Sequence, residues 1–425
     1  MPKIGIRKKI KSVAEAMGEV NQPTLKRVGV PIDLEDLKQQ AKHAAEVLEG
    51  VRQLLLSPGK DKVAPQFSSS EVADLCGIDR SHLNYRLTKE DLPAGTLEGP
   101  QKRVFTLAEA RTWVKAFRKE LPRPPGARAA TVAIGNFKGG VSKTTTTMAL
   151  AQGLSLRGYD VLVVDLDPQG SLTSLFGVIP DTEVAEEMTV APLIYGDQPS
   201  IRYAVHESYW DGIDFVPSNS QLFNAEFFLP TEQVKNRKFE FWNVINKGLE
   251  DVRDMYDVIL IDTAPALSYI TINAFMAADG LLVPLPPSAL DFASSVQFWS
   301  LFTDLAENLN KRMPKPKQFD FVHILLSRVD SDEAAVAVRK LILSAYSDKV
   351  LPVEIPKSTV ALIASADLGT IYDVVKYDGD SRTYQRVRSA YDKASELLDQ
   401  ILVERWANQT DRVAMSLVPD SVVNG

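Results

Sequence analysis

Asn136-Phe-Lys138-Gly139-Gly140-Val141-Ser142-Lys143-Thr144-Thr145-Thr-Thr147 follows the β-branched run Thr131-Val-Ala-Ile134 and opens into Met148-Ala-Leu-Ala-Gln-Gly-Leu-Ser-Leu-Arg-Gly158, which has helical periodicity. Strand, glycine-rich loop and helix in that order form the context of a phosphate-binding loop. The glycines let backbone N–H groups close round phosphate oxygens, and the helix start behind them adds unpaired donors and a partial positive charge. The stretch predicts a polyphosphate site. Counted back from Lys143, the two glycine positions of the usual G-x-x-x-x-G-K-[ST] pattern hold Phe137 and Ser142, while the glycines present are Gly139 and Gly140 behind a second lysine, Lys138. A serine at 142 is expected to keep φ negative. A plain Gly-Gly turn with two solvated lysines is the alternative for the loop alone.

Two further segments argue against it. Tyr159-Asp-Val-Leu-Val-Val-Asp165 is a continuous apolar run of the buried parallel-strand type, ending in Asp165-Leu-Asp167-Pro-Gln-Gly-Ser171. Tyr256-Asp-Val-Ile-Leu-Ile-Asp262 is a second such run with a terminal aspartate. Carboxylates at the C-terminal ends of strands lie where open α/β sheets bind ligands, and one of them in this position helps to hold Mg²⁺.

These motifs resemble, in order and type, the deviant phosphate loop and carboxylate strands of the ParA/MinD family, and residues from about 130 to 400 resemble a ParA-type partition ATPase. The resemblance implies an α/β fold with a mostly parallel Rossmann-like P-loop NTPase sheet flanked by helices, and ATP with Mg²⁺ as cofactors. It implies that Lys143 contacts the β- and γ-phosphates, Thr144 ligates Mg²⁺ and Thr145 lies near the α-phosphate. Gly139, Gly140, Val141 and Ser142 would supply the loop. Lys138 would be the signature lysine reaching a partner's nucleotide across a dimer. Asp167 would position the attacking water, Asp262 would be the metal carboxylate, and Asp165 would support the metal. Asn273, in the helix after Asp262, also matches the family order, and Pro286 and Pro356 are candidate neighbours of the base. Ser327-Arg-Val-Asp330 leaves open a guanine-reading role for Asp330, against a role with Ser331 and Asp332 in capping the next helix, which keeps ATP ahead of GTP.

Composition sets further bounds. The chain has 425 residues, a net charge of −7 and one cysteine, Cys76, which rules out an internal disulfide and a cysteine-bridged iron–sulfur cluster at a dimer axis. No apolar run is long enough to span a membrane and the N-terminus lacks a signal-peptide core, so a soluble cytoplasmic protein is expected, and the resemblance implies association with the nucleoid and not the membrane. Residues 1–125 carry 22 Lys/Arg against 16 Asp/Glu, so the remainder is strongly acidic and the two parts face different partners. The Pro-rich stretch Leu121 to Ala130 suits an interdomain connector.

Within the basic part, residues 67–87 have a helix-turn-helix layout, with Ser68 to Glu71 as a capped start, Gly77 as the turn and Asp79 as a second cap. The outward positions of the second helix include Arg80, Ser81, His82, Tyr85 and Arg86, and the following segment resembles a wing with Lys102 and Arg103 placed for phosphates. A small helical domain with a solvated basic face is the alternative. Residues 32–56 have three- and four-residue apolar spacing. That pattern fits a helix that swaps between protomers, as in larger ParA relatives, or one that packs on its own domain. The last helix is expected from Arg382 to about Trp406, with Lys357, Arg382 and Arg386 as candidates for nonspecific DNA contact. The expected organisation is a basic arm and dimerisation helix over 1–60, a winged helix-turn-helix domain over 61–125, the ATPase over 126–407 and a disordered tail over 408–425. The resemblance implies a homodimer that binds operator DNA specifically and other DNA nonspecifically, with a ParB-type partner stimulating weak hydrolysis to drive plasmid or secondary-replicon segregation. A nucleotide-controlled transcriptional regulator and a positioning ATPase for a protein cluster are the competing functions.

Overall fold

The computed structural model describes residues 32–56, 62–99, 102–118, 123–358, 368–374 and 380–416. The basic arm, part of the Pro-rich connector and the last nine residues of the expected tail lie outside them. The helices of eight residues or more are α1 (Leu34–Leu56), α2 (Ser69–Cys76), α3 (Arg80–Leu87), α4 (Leu107–Phe117), α5 (Lys143–Ser155), α6 (Ala225–Lys235), α7 (Tyr269–Ala277), α8 (Ala289–Asn310), α9 (Glu333–Tyr346) and α10 (Ser381–Ser416).

The small N-terminal unit holds strands β1 (Phe67–Ser68), β2 (Thr96–Glu98) and β3 (Lys102–Phe105), which form an antiparallel sheet in the order β1-β3-β2 beside α2, α3 and α4. Sequence chemistry accounts for the boundaries. Ser68 and Glu71 form a reciprocal capping box at the start of α2, Gly77 ends that helix at φ 65°, and Asp79 caps α3 by accepting from His82 N.

The large unit is an eight-stranded sheet in the order β11-β10-β9-β4-β8-β5-β7-β6. Its strands are β4 (Ala130–Ile134), β5 (Val161–Leu166), β6 (His206–Glu207), β7 (Ile213–Val216), β8 (Val258–Thr263), β9 (Gly280–Leu285), β10 (Phe321–Val329) and β11 (Val350–Pro356). Every pairing is parallel except that of β6 with β7. This is the mostly parallel P-loop NTPase sheet that the resemblance implies, and its strands β5 and β8 are the continuous apolar runs of the sequence. Because side chains alternate across a strand, Val161 and Val163 join a core with α5 and α10, while Leu162 and Val164 join one with α7 and α8 on the opposite face.

The two units share a core. Phe67, Leu83, Phe105 and Trp113 belong to the same buried cluster as Met148, Tyr159 and Trp406. Arg111 of α4, 5% exposed, crosses the junction and donates to Ser155 O, Tyr159 O, Asp160 and Asp211. Its guanidinium lies flat over Gly212, where a Cβ would sit 1.9 Å from the Arg111 Cζ, so residue 212 has to be glycine for this contact.

Two expectations about the ends of the chain change. Every described side chain from Ile32 to Val47 is exposed, so over that span α1 does not bury its apolar stripe on its own domain. Helix α10 continues beyond Asn408 to Ser416, so the expected break near 408 is absent.

Candidate functional site

The site forms at the C-terminal ends of β4, β5 and β8, where parallel sheets open a crevice. Ile134, Leu166 and Asp262 are fully buried, which makes the strand ends a rigid base for the loops above them. Between β4 and α5 the chain turns through Gly140 at φ 74° and Ser142 at φ 73°. The expectation of negative φ at Ser142 is therefore wrong: a non-glycine residue occupies the left-handed region, which costs about 1 kcal/mol or more and persists only when its surroundings enforce it.

The surroundings are visible. Asn136 donates from Nδ2 to Pro284 O and accepts from Lys138 N, fixing the start of the loop. Lys143, 6% exposed, donates from Nζ to Lys138 O across 3.0 Å. Burial pulls its ammonium below the ordinary lysine range, against the opposing charges of Asp262 and Asp167. A buried cation at a helix start beside tightly turned backbone is suited to an anion.

Thr144 donates from Oγ1 to Asp262 Oδ2 at 2.7 Å, and Thr147, one turn on, reaches Asp262 Oδ1 at 3.1 Å. Asp262 stands in register with Asp165 on the adjacent strand, and burial pushes both carboxyls up. Their environments then diverge. Asp165 accepts from Thr173 N, Thr173 Oγ1 and Asp167 N, so its oxygens organise the loop that carries Asp167. Asp165 is thus engaged with the Asp167 loop, while Asp262 is the carboxylate that meets Thr144. Asp167 is 8% exposed and fixes the turn by accepting from Gln169 N.

Among the described residues no cluster of three or more His, Cys, Asp or Glu is arranged round a metal ion. Thr144 and Asp262 are the residues that fit Mg²⁺, which characteristically takes one or two protein ligands and completes its shell from phosphates and water.

Lys138 forms an ion pair with Asp291 near the start of α8, Nζ to Oδ1 at 2.6 Å. The two residues line a cavity of about 450 Å³ together with Gly139, Pro286, Arg328 and Lys357. Pro286 thus lies beside the loop, and Pro356 ends β11 opposite Val329. Thr145 is half-buried at the start of α5. Asn273 does not join the site: its amide donates to Phe241 O and Tyr269 O and accepts from Val244 N and Ile245 N, tying α7 to the neighbouring segment. Asp332 caps α9, whereas Asp330 faces the cavity and pairs with Lys357, which replaces the expected capping role for Asp330.

The candidate DNA residues separate into two groups. Arg80, Ser81, His82 and Tyr85 are exposed, with His82 edge-on to Phe117. Arg86 pairs with Asp91 and stacks on Phe117, Lys102 pairs with Glu98, and Arg103 donates to Ala94 O. Near the C-terminus Arg382 and Arg386 are exposed, while Lys357 is paired with Asp330.

Motif reading missed Asp291 and gave no part in the loop to Thr147, Ser327 or Arg328, although all three lie in stretches it quoted. Thr147 had a signal, since it lies three residues after Thr144 and shares its helix face. Asp291 had a weaker one, the Ser288-x-x-Asp291 cap pattern. Ser327 and Arg328 approach the loop only through the β9–β10 pairing, which no local pattern reveals.

A phosphate loop, two strand-end carboxylates and a parallel sheet define a P-loop nucleotide-binding protein. Residues 129–315 match the AAA domain family. The chain is 30% identical over 368 residues, 83% of its length and 90% of the relative's, to a putative replication protein A of Rhizobium rhizogenes. It is 27% identical over 360 residues, 82% of its length and 92% of the relative's, to the protein SopA of Escherichia coli K12. A solved partition protein covers 87% of the chain and is itself covered over 98%, with a TM-score of 0.62 at 18% identity, a likeness of fold. The chain belongs to the ParA-type family of partition ATPases.

Proposed function

We propose that this protein hydrolyses ATP to ADP and phosphate, and that the nucleotide cycle drives segregation of a plasmid or secondary replicon. The observation that carries the reading is the Thr144–Asp262 contact beside buried Lys143, with Asp167 held above it on a loop that Asp165 organises. Mg²⁺ bound at Thr144 and Asp262 would neutralise phosphate charge as it develops. Lys143 would hold the phosphates, and Asp167 would orient water in line with the bond that breaks. Because the chemistry is mainly positioning and charge neutralisation, removing the water-positioning group and removing the phosphate cation should have different effects.

A homodimer closed by ATP would bind DNA nonspecifically, a ParB-type partner would stimulate hydrolysis, and the N-terminal unit would bind operator DNA as a winged helix-turn-helix. The exposed side chains of α3 and the β2–β3 hairpin support that last assignment. Asp167→Ala is expected to retain ATP binding and lose turnover, while Lys143→Ala loses both, measured by equilibrium binding and phosphate release. Equal turnover by wild type and Asp167→Ala would remove the assignment.

A further inference from the structure

Arg328 is one of five non-glycine residues with positive φ among those described, at φ 51°, and its exposed side chain turns onto the phosphate loop. Its Nη1 donates to Gly140 O, and the preceding Ser327 donates from Oγ to Val141 O at 2.9 Å. With Lys143 on Lys138 O, three carbonyls of the loop accept from side chains. A trans peptide carries its C=O and the next N–H on opposite sides. Fixing Gly140 O therefore orients Val141 N–H the other way, and fixing Val141 O does the same for Ser142 N–H. Neither amide donates elsewhere among the described residues. Gly140 adopts its positive φ without strain, whereas Ser142 at φ 73° is held by this clamp in a conformation a serine disfavours.

We propose that Arg328, with Ser327, is a positioning residue for phosphate binding, acting from the end of β10 through the Gly140 peptide. The inference rests on the nucleotide-binding reading of the loop. A guanidinium donates more strongly to a carbonyl than a neutral group does, and its planar fork loses less freedom on bonding than a lysine stem.

The test uses the full chain and Mg·ADP as probe, measured by calorimetry. Glycine adopts positive φ without strain, so Arg328→Gly removes the side chain while leaving the backbone comfortable. Arg328→Gly is expected to weaken Mg·ADP binding about tenfold, the effect of one lost charge-assisted hydrogen bond, without lowering the melting temperature. Dilute guanidinium ion should restore part of the affinity to Arg328→Gly and none to Lys143→Ala, and Arg328→Lys should fall between wild type and Arg328→Gly. A structural role alone would not produce this rescue. Unchanged affinity in Arg328→Gly, with binding lost in Lys143→Ala, would overturn the positioning role and leave the nucleotide site standing. Failure of the wild-type chain to bind Mg·ADP would overturn both.

Discussion

Lys138 Nζ lies 2.6 Å from Asp291 Oδ1, so Lys138 is turned onto α8 of its own chain. Asp291 is itself fixed, because its backbone N–H caps onto Ser288 Oγ and its other oxygen accepts from that hydroxyl. A lysine meant to act across a dimer must leave this partner first.

Asp291→Ala is therefore expected to favour ATP-dependent self-association. Lys138 is partly exposed, so the pair contributes only about 0.5–1 kcal/mol, and the midpoint concentration for association should fall about two- to fivefold. Sedimentation at graded protein concentration with Mg·ATP measures it; an unchanged or higher midpoint would contradict a restraining role.

The junction between the small and large units has a buried ion pair. Lys62 Nζ donates to Leu175 O, Leu368 O and Asp373, and Asp373 also accepts from Tyr209 and Gln152 of α5. Lys62→Met leaves the Asp373 charge buried without its cation, a loss of about 3–5 kcal/mol. Urea unfolding should show at least about 2 kcal/mol of destabilisation; a smaller loss would mean that water already screens the pair.

Much of the fold and part of the site were legible in the sequence. The strands ending at Ile134, Asp165 and Asp262 are buried on both faces, and such strands read as continuous apolar runs. Thr144, Lys143 and Asp262 meet because strand, loop and helix place them by local geometry. Arg111, Asp291 and Arg328 were not legible, since each reaches its partner through tertiary approach with no periodic signal. Asn273 misled for a related reason: sequence order places it in α7 but does not say which way the amide faces. At Ser142 local preference pointed to negative φ, and hydrogen bonds from distant residues decided otherwise.

Burial raises the Asp165 carboxyl to about 8 and the Asp262 carboxyl to about 7. A carboxyl whose pKa is higher in the folded than in the unfolded chain adds stability that is complete below about pH 4 and is lost as pH rises through the folded value. Without nucleotide and Mg²⁺, the melting temperature should fall between about pH 5 and about pH 8, and Mg·ADP, which favours the ionised form of Asp262, should reduce that fall. The Asp262→Asn variant should show a shallower dependence. A melting temperature that rises across the window would contradict the burial argument.

The two proposed DNA-binding modes should separate by mutation. Base contacts carry sequence preference, whereas phosphate contacts weaken with salt whatever the sequence. Arg80→Ala with Arg86→Ala should abolish operator binding and spare ATP-dependent nonspecific binding, and Arg382→Ala with Arg386→Ala should do the reverse. Because Arg86 is held by Asp91 and Phe117, most of the operator loss should already appear in Arg80→Ala. Parallel loss of both modes in a folded Arg80→Ala, Arg86→Ala dimer would favour a single DNA surface.

ATP should close a dimer in which Lys138 completes the partner's nucleotide site. Light scattering of wild type, Asp167→Ala and Lys138→Ala with Mg·ATP tests it most directly. Wild type should form a dimer, Asp167→Ala a longer-lived dimer because hydrolysis no longer opens it, and Lys138→Ala should remain a monomer that still binds nucleotide. Undiminished ATP-dependent dimerisation of Lys138→Ala would contradict it and return Lys138 to the role of a solvated lysine paired with Asp291.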